Sequence, residues 1–328
     1  MPKSKTPSQK DMFVSIVVLT DPKTKHVAKE VRTLAKLLPQ HYTNYEIIII
    51  DNRLPHKELA AVSALLADTA CVRVVRLSRH YGKDVCAYAG IESAIGDIVV
   101  VRGSSDPIRL IPDFIESASK HDLVFGVSTR KTRSGVINHY GAKLFYWYNK
   151  KFLDISIPEN STLFMALSRR AVNSLTHTSR YARHIRYLAR QIGYDSKEVY
   201  YEPSKAYKPE KKHIRELAIS AIELATNYSK HPLRFLAWLG FSASLFNLLY
   251  AGYVIGVNLL KRRVAEGWTT LSLQSAGMFF LMFAILAIMC EYLGKILEET
   301  RHEPQYHILD ELTSKISVAD ISKRNIIS

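Results

Sequence analysis

The chain has 328 residues, enough for one large domain or two smaller ones, and its 47% hydrophobic and 23% charged content excludes disorder and collagen. A formal net charge of +15 indicates an anionic partner, which is nucleic acid, a phosphorylated substrate or an acidic membrane surface. Cys71, Cys86 and Cys290 are too few and too scattered for a disulfide framework or a tetrahedral metal site. We therefore expect free thiols in a reducing compartment.

Strand-like and helix-like patterns alternate through residues 15–205. Residues 1–14, by contrast, are polar and basic, and we expect a flexible N-terminus in the cytosol there. Continuous apolar strands between amphipathic helices predict an α/β fold with a parallel, helix-covered sheet. The predicted strands are 15–20, 45–51, 72–77, 97–101 and 122–127, and the predicted helices are 27–38, 57–67, 83–94 and one from Pro112.

The residues that follow the predicted strands are candidate site residues, because ligands of open α/β sheets bind beyond the carboxyl ends of the strands. They are rich in Arg and Lys and poor in carboxylates, a balance that suits a phosphate or diphosphate. Taken singly, each basic residue is more often a solvated surface charge, and only the clustering favours a site. In strand order the candidates are Thr20 and Asp21; Asp51 and Asn52; Arg76, Arg79 and Lys83; Arg102 to Asp106; and Arg130 and Arg133.

Two stretches, 235–260 and 267–290, contain no Asp, Glu, Lys, Arg or His. A helix of about 20 residues crosses the hydrocarbon layer, so each stretch is long enough to span a bilayer. The residues between them are too few for anything but a turn. The sequence therefore predicts a transmembrane hairpin, with helices at 233–260 and 267–291 and with both flanks on one side.

The charges around this hairpin predict its orientation. Seven basic residues precede it and three lie in its turn, so the positive-inside rule places both flanks and both termini in the cytoplasm, at the inner or plasma membrane in a bacterium. Residues 206–232 contain an amphipathic pattern that fits equally a helix packed on the soluble domain and a helix in the headgroup layer. Residues 292–328 predict a cytoplasmic helix that stops near Pro304, followed by a solvated tail.

Three segments carry a resemblance to a known family: VVRLSRHYGKDVCAYAGIESAIGDIVVV at 74–101, SKHPLRFLAWLGF at 229–241 and EYLGKILEETRHEPQY at 291–306. They are similar to the family 2 glycosyltransferases that act on polyisoprenyl phosphates, the group of dolichol-phosphate mannosyltransferase and the bactoprenol glucosyltransferases of cell-envelope glycan synthesis. The resemblance implies a GT-A (Rossmann-like) nucleotide-sugar domain ahead of an interfacial helix and the hairpin.

The resemblance also implies an activity. The expected reaction is inverting transfer of a sugar from a UDP- or GDP-sugar to a membrane-anchored polyprenyl phosphate, commonly with Mg²⁺ or Mn²⁺, and some members are tetramers. On this basis we assign the nucleotide-sugar to Thr20, Asp21, Asp51, Asn52 and Lys83, the phosphates to Arg76, Arg79, Arg130 and Arg133, and catalysis to Asp106 and Arg102.

The chain departs from the family pattern at four places. Asp21, Pro22 and Lys23 stand where the family has Tyr-Asn-Glu, and of an expected Asp-Asp-Gly-Ser run only Asp51 is kept, at the position that contacts the base. The metal-binding Asp-x-Asp is reduced to RGSSDP, where Asp106 is the sole carboxylate and Arg102 stands about where the first Asp belongs. In the fourth segment, Leu163 and Met165 replace the usual Asp and Arg.

Two explanations of this drift compete. In one, the protein is a catalytically degenerate scaffold or regulatory membrane subunit. In the other it transfers sugar by an altered route, with the Arg102 guanidinium in place of the metal and transfer weakly dependent on metal or independent of it. The acceptor phosphate is largely ionised at pH 7, so loss of a general base is survivable. Nucleic-acid binding follows from charge alone, and the sequence contains no recognition motif for it.

Overall fold

Apolar strands and amphipathic helices build the first of two compact units. The computed structural model describes residues 10–130, 160–177, 185–204, 238–243, 245–250, 252–253, 267–300 and 304–314. One unit comprises 1–136, 155–210 and 304–328, and the other comprises 137–154 and 211–303. The predicted amphipathic helix at 206–232 and Arg133 lie outside the described residues.

The first unit is built on an eight-stranded sheet in the order β7-β5-β6-β4-β1-β2-β3-β8. Its strands are β1 (Lys10–Leu19), β2 (Tyr42–Asp51), β3 (Val72–Leu77), β4 (Ile98–Gly103), β5 (Leu123–Ser128), β6 (Ser161–Ser168), β7 (Ser196–Tyr201) and β8 (Ile308–Thr313). The helices are α1 (Val27–His41), α2 (His56–Asp68), α3 (Lys83–Ser93), a 3₁₀ turn at Ile108–Leu110, α4 (Ile111–Ala118), α5 (Arg169–Thr176) and α6 (Ile185–Gln191).

The five predicted strands and the first four helices are present, but the sheet is mixed rather than parallel. Strand β6 is antiparallel to both β4 and β5, and β8 is antiparallel to β3. The prediction of a parallel sheet was wrong because β6 and β8 follow no β-α repeat, so nothing in the local pattern gives their direction. Strand β1 also begins at Lys10, inside the region expected to be flexible.

Helices cover both faces of the sheet because nearly every side chain of the central strands is buried. In α1, Val27, Val31, Leu34 and Leu38 recur at helical spacing and pack on one face together with α2 and α4. On the other face, Cys86, Ile91 and Leu188 belong to a second core with α5. The carboxyl ends of β1 to β5 and of β7 therefore meet at one edge, which we call the mouth.

A buried ion pair lies toward the opposite edge of the sheet. Arg73 donates to Glu46 (Nη2–Oε2, 3.1 Å) and to the carbonyl of Ser93 (2.6 Å). Glu46 also accepts from the Ser15 hydroxyl (2.6 Å) and from the amide of Ile95 (2.9 Å). The pair thus ties β1, β2 and β3 to the loop that precedes β4.

Residues 238–243, 245–250 and 252–253 of the second unit are helical, as are Trp268–Thr300, which form α7. Within α7, Gly277–Gly294 is long and apolar enough to cross a membrane, and none of that window is buried. The side-chain amide of Gln274 donates to Asn247 Oδ1 (3.1 Å), and a Cβ added to Gly240 would lie 3.4 Å from Ile285 Cδ1. The two helical segments are therefore in contact.

Substitution of Arg73 by Met should destabilise the fold by about 3–5 kcal/mol, because it leaves the Glu46 carboxylate buried without its countercharge. Urea unfolding of the detergent-solubilised chain measures this loss. The double variant Arg73→Met/Glu46→Gln is the control and should recover most of the stability. Equal stability of the two variants would contradict the prediction.

Candidate functional site

Backbone turns at the ends of β1 and β2 hold four of the predicted nucleotide-sugar residues. Thr20 is 3% exposed and donates its hydroxyl to the carbonyl of Ile50 (2.7 Å). Asp21 accepts from the amide of Lys23 (2.9 Å) and from the hydroxyl of Thr24 (3.0 Å). These two residues close the turn after β1, and Asp21 is the more exposed of the two.

Asp51 and Asn52 are both buried at the end of β2. The carboxylate of Asp51 accepts from the Leu54 amide (2.7 Å) and from Arg76 Nε (3.3 Å). The side chain of Asn52 makes two hydrogen bonds with the backbone of Tyr81, donating to its carbonyl (2.9 Å) and accepting from its amide (2.8 Å). Asn52 therefore acts on the site through the loop that follows β3.

That loop carries the predicted phosphate-binding cations. Arg76 is shared between Asp51 and Asp310 (Nη1–Oδ2, 2.8 Å). Arg79 is exposed and lies 4.9 Å from the ring centroid of Tyr81. Lys83 is exposed and is the first residue of α3. An anion at this position would meet both a lysine and the amides of a helix N-terminus.

Arg102 is buried, with 1% of the residue exposed. Its guanidinium donates to Glu30 of α1 (Nη1–Oε2, 3.0 Å) and to the main-chain carbonyl of Asp106 (2.9 Å). Its charge is therefore paired with the carboxylate of Glu30 at the end of β4. The role of Arg102 at the leaving group stays a prediction, and the structure adds to it an acid from α1, Glu30, that the sequence pattern did not reveal.

Asp106 is held by donors on both carboxylate oxygens. Oδ1 accepts the hydroxyl of Tyr201 at the end of β7 (2.5 Å), and Oδ2 accepts the amide of Gly103 (2.8 Å). Burial raises the pKa of Asp106, although Tyr201, Gly103 and Arg102 each oppose the shift. Burial likewise raises the pKa of Glu30 more than the neighbouring Arg102 lowers it.

The far side of the mouth is formed by β5, β6 and β7. Arg130 is partly exposed and reaches the carbonyl of Ser204 (3.4 Å). Met165 is 1% exposed in the core, and Leu163 packs against the second core cluster. Neither position offers a polar group to a substrate.

A resident divalent metal does not fit the described residues. No three His, Cys, Asp or Glu side chains come together in the part of the chain that the structure describes. Gly103 ends β4 without a side chain, and Asp106 already accepts two hydrogen bonds. The protein groups at this strand end therefore do not form a metal site by themselves, and Asp106 is the one carboxylate that the described end of β4 could add to a metal held mainly by substrate phosphates.

Three contributors to the site were not found from the sequence. Glu30 was hidden in the polar face of α1, and Tyr201 lies far along the chain from Asp106. The third is residues 304–314, which return to the sheet and place Asp310 beside Arg76. Only the alternation in β7 and β8 could have indicated the last two, and both strands are too short to give a clear period.

An α/β sheet with helices on both faces and a polar, cation-rich mouth at its carboxyl edge is typical of α/β proteins that bind ligands beyond the ends of their strands. Residues 31–176 match the family model described as Glycosyl transferase family 2. The matched residues therefore identify a domain like that of the family 2 glycosyltransferases within the first unit, whose sheet is mixed.

Relatives cover most of the chain. An uncharacterized glycosyltransferase of Synechocystis sp. is 27% identical over 85% of this chain and 89% of its own. The bactoprenol glucosyl transferase of Shigella phage SfV is 24% identical over 86% and 92%. Among solved structures, glucosyl-3-phosphoglycerate synthase from Mycobacterium tuberculosis, in complex with Mn²⁺, UDP and glucosyl-3-phosphoglycerate, is aligned with a TM-score of 0.45 and 15% identity over 66% and 78%.

Substitution of Tyr201 by Phe should destabilise the chain by about 1–3 kcal/mol at pH 7, since a buried carboxylate loses a donor. The pKa of Asp106 in the folded chain lies above its ordinary value of 3.8, so its ionisation opposes folding as pH rises through the folded value. The loss should therefore shrink as pH falls toward 4. Urea unfolding at pH 7 and pH 4 measures it, and a pH-independent loss would contradict the assignment.

Proposed function

We propose that this protein is a membrane-bound glycosyltransferase that moves a sugar from a UDP- or GDP-sugar to a polyisoprenyl phosphate with inversion at the anomeric carbon. The observation that carries the proposal is the strand-end mouth of a family 2 domain, with Arg79, Lys83 and Arg130 at least partly exposed. The bactoprenol glucosyl transferases among the relatives support the choice of acceptor.

The path of the chain supports a membrane hairpin. Ser204 and Pro304 belong to the same unit, so the number of membrane crossings between them must be even. Gly277–Gly294 can supply one crossing. Residues 235–260 are the other stretch of sufficient length without a charged residue, and their helical part contacts α7 through Asn247. Both flanks would then face the cytoplasm, and a homo-oligomer, such as a tetramer, stays a prediction.

The chemistry requires little of a general base. An oxygen of the lipid phosphate attacks the anomeric carbon, the bond from that carbon to the diphosphate breaks, and the nucleoside diphosphate leaves with the electron pair. The attacking phosphate monoester has a second pKa of about 6, so it is largely ionised at neutral pH. Leu163 in place of an acid is therefore compatible with transfer.

The leaving diphosphate needs positive charge, which exposed side chains can provide. Because the described residues do not fit a resident metal, we propose that Lys83 with the N-terminus of α3, Arg79 and Arg130 stabilise the diphosphate. In this proposal Asp106 and Arg102 shape the end of β4, and transfer depends weakly or not at all on Mg²⁺ or Mn²⁺.

Two observations favour the alternative, a catalytically degenerate scaffold or regulatory subunit. The described strand ends offer no acidic residue free of strong hydrogen bonds near β4, and Met165 is part of the core. Such a protein would keep the hairpin and the fold without turnover.

The two are separated by an assay of membranes that express the chain, with a panel of UDP- and GDP-sugars and with undecaprenyl or dolichyl phosphate, and with mass-spectrometric detection of the glycolipid. We expect product in the membrane fraction and at least half of the activity in the presence of EDTA. Turnover abolished by EDTA and restored by Mg²⁺ would overturn metal independence. No product with any donor, together with no nucleotide binding, would establish the scaffold.

Substitution of Lys83 by Met should weaken UDP or GDP binding by about 10- to 100-fold, the effect expected when a charge-assisted hydrogen bond is lost. Titration calorimetry on the detergent-solubilised chain measures the affinity. The matched control is Lys120→Met, an exposed lysine beyond the end of α4 at the opposite edge of the sheet. A Lys83 variant that binds like the control would exclude Lys83 from the site.

A further inference from the structure

Residues Pro304–Ser314, which we call the C-terminal segment, add the last strand to the sheet. Strand β8 pairs with β3 from Arg73–Thr313 to Leu77–Ile308. The amide of Ser314 donates to the carbonyl of Val72 (2.9 Å), and Asp310 pairs with Arg76. These contacts fix residues 308–314 of the segment along the full length of β3.

The other end of the segment contacts the loop Ser78–Gly82, which we call the Tyr81 loop. The amide of His307 donates to the hydroxyl of Tyr81 (3.1 Å), and the amide of Ser78 donates to the carbonyl of His307 (2.9 Å). Tyr81 is 7% exposed, so its hydroxyl lies inside this contact.

The Tyr81 loop carries side chains of the proposed donor site. The side chain of Asn52 makes two hydrogen bonds with the backbone of Tyr81, and the guanidinium of Arg79 lies over the Tyr81 ring. Lys83 follows directly at the start of α3. A shift of this loop would therefore move Arg79 and Lys83 together relative to a bound diphosphate.

Tyr306 anchors the segment at a point where no predicted nucleotide-binding residue lies. Its hydroxyl donates to Glu92 near the end of α3 (2.7 Å), and its ring packs on the second core cluster. Burial raises the pKa of Tyr306 and of Glu92, in keeping with a neutral hydroxyl that donates to the carboxyl group.

We propose that the C-terminal segment positions the Tyr81 loop for nucleotide binding, with Tyr306 and Tyr81 as its positioning residues. The inference rests on the proposed function, because it assumes that the nucleotide diphosphate binds at the mouth. The affinity for nucleotide is then set partly by residues that never contact it, on a segment that only three residues separate from α7.

The test is Tyr306→Phe in the full chain in detergent micelles, with Tyr81→Phe as a second variant. Amide hydrogen exchange at 304–314 and the Kd for UDP and GDP are measured on the same samples. We expect faster exchange in the segment and nucleotide binding weakened by about 2- to 10-fold, the range that follows from loss of one hydrogen bond. In turnover the effect should appear in KM for the donor, with KM for the polyprenyl phosphate unchanged.

The matched control is Tyr194→Phe, which removes a hydroxyl contact to Ser174 (2.7 Å) at the opposite edge of the sheet and should change neither quantity. Faster exchange at 304–314 with an unchanged Kd in both variants would overturn the inference alone, as would a weakened Kd with unchanged exchange. If the wild-type chain binds neither nucleotide, the proposed function fails and the inference fails with it.

Discussion

The pairing of β8 with β3 is the constraint from which the organisation of the chain follows. The chain leaves the sheet after β7, passes through the apolar helices and must come back to the same sheet to add its last strand. A segment with both ends in one folded unit crosses a membrane an even number of times or not at all. If the apolar helix in the described residues crosses a membrane, this rule requires a second crossing.

The same return strand organises the charges of the mouth. Asp310 of β8 forms an ion pair with Arg76, which also pairs with the buried Asp51. Arg102 is neutralised by Glu30, and Asp106 is held by Tyr201 and Gly103. The ionisable side chains nearest the sheet are thus engaged in holding turns, and exposed cations are carried by the loops beyond them. A buried charge needs a fixed partner, whereas an exposed cation on a loop can exchange its partner for a ligand.

Much of the sheet could be predicted from sequence because its parallel strands are continuous apolar runs and α1 has its apolar residues at 3.6-residue spacing. The direction of β6 could not, since an antiparallel strand beside a parallel one has the same local pattern. The C-terminal region was expected to be a helix and a tail, whereas ILDELT pairs with β3 as a strand, with Glu311 and Asp310 beside Arg73 and Arg76. The candidate residues that the structure describes lie at the carboxyl edge of the sheet, and their roles stay predictions. Whether each faces a ligand or a turn depended on partners distant in sequence, such as Glu30 and Tyr201.

The lost family motifs differ in how much the proposed transfer depends on the charge that each one supplies. An acceptor that is already ionised needs no base, so in the proposed transfer Leu163, in place of the usual Asp, removes nothing essential to attack. The departing diphosphate carries negative charge whichever sugar it leaves, and that charge has to be met in the transition state. In the proposed transfer Arg102 is paired to Glu30, and the positive charge for the diphosphate would come from Lys83, Arg79 and Arg130. All three lie on loops or a helix start, so the site's electrostatics depend on how firmly those loops are held, and the Tyr81 loop is held in part by the strand that closes the sheet.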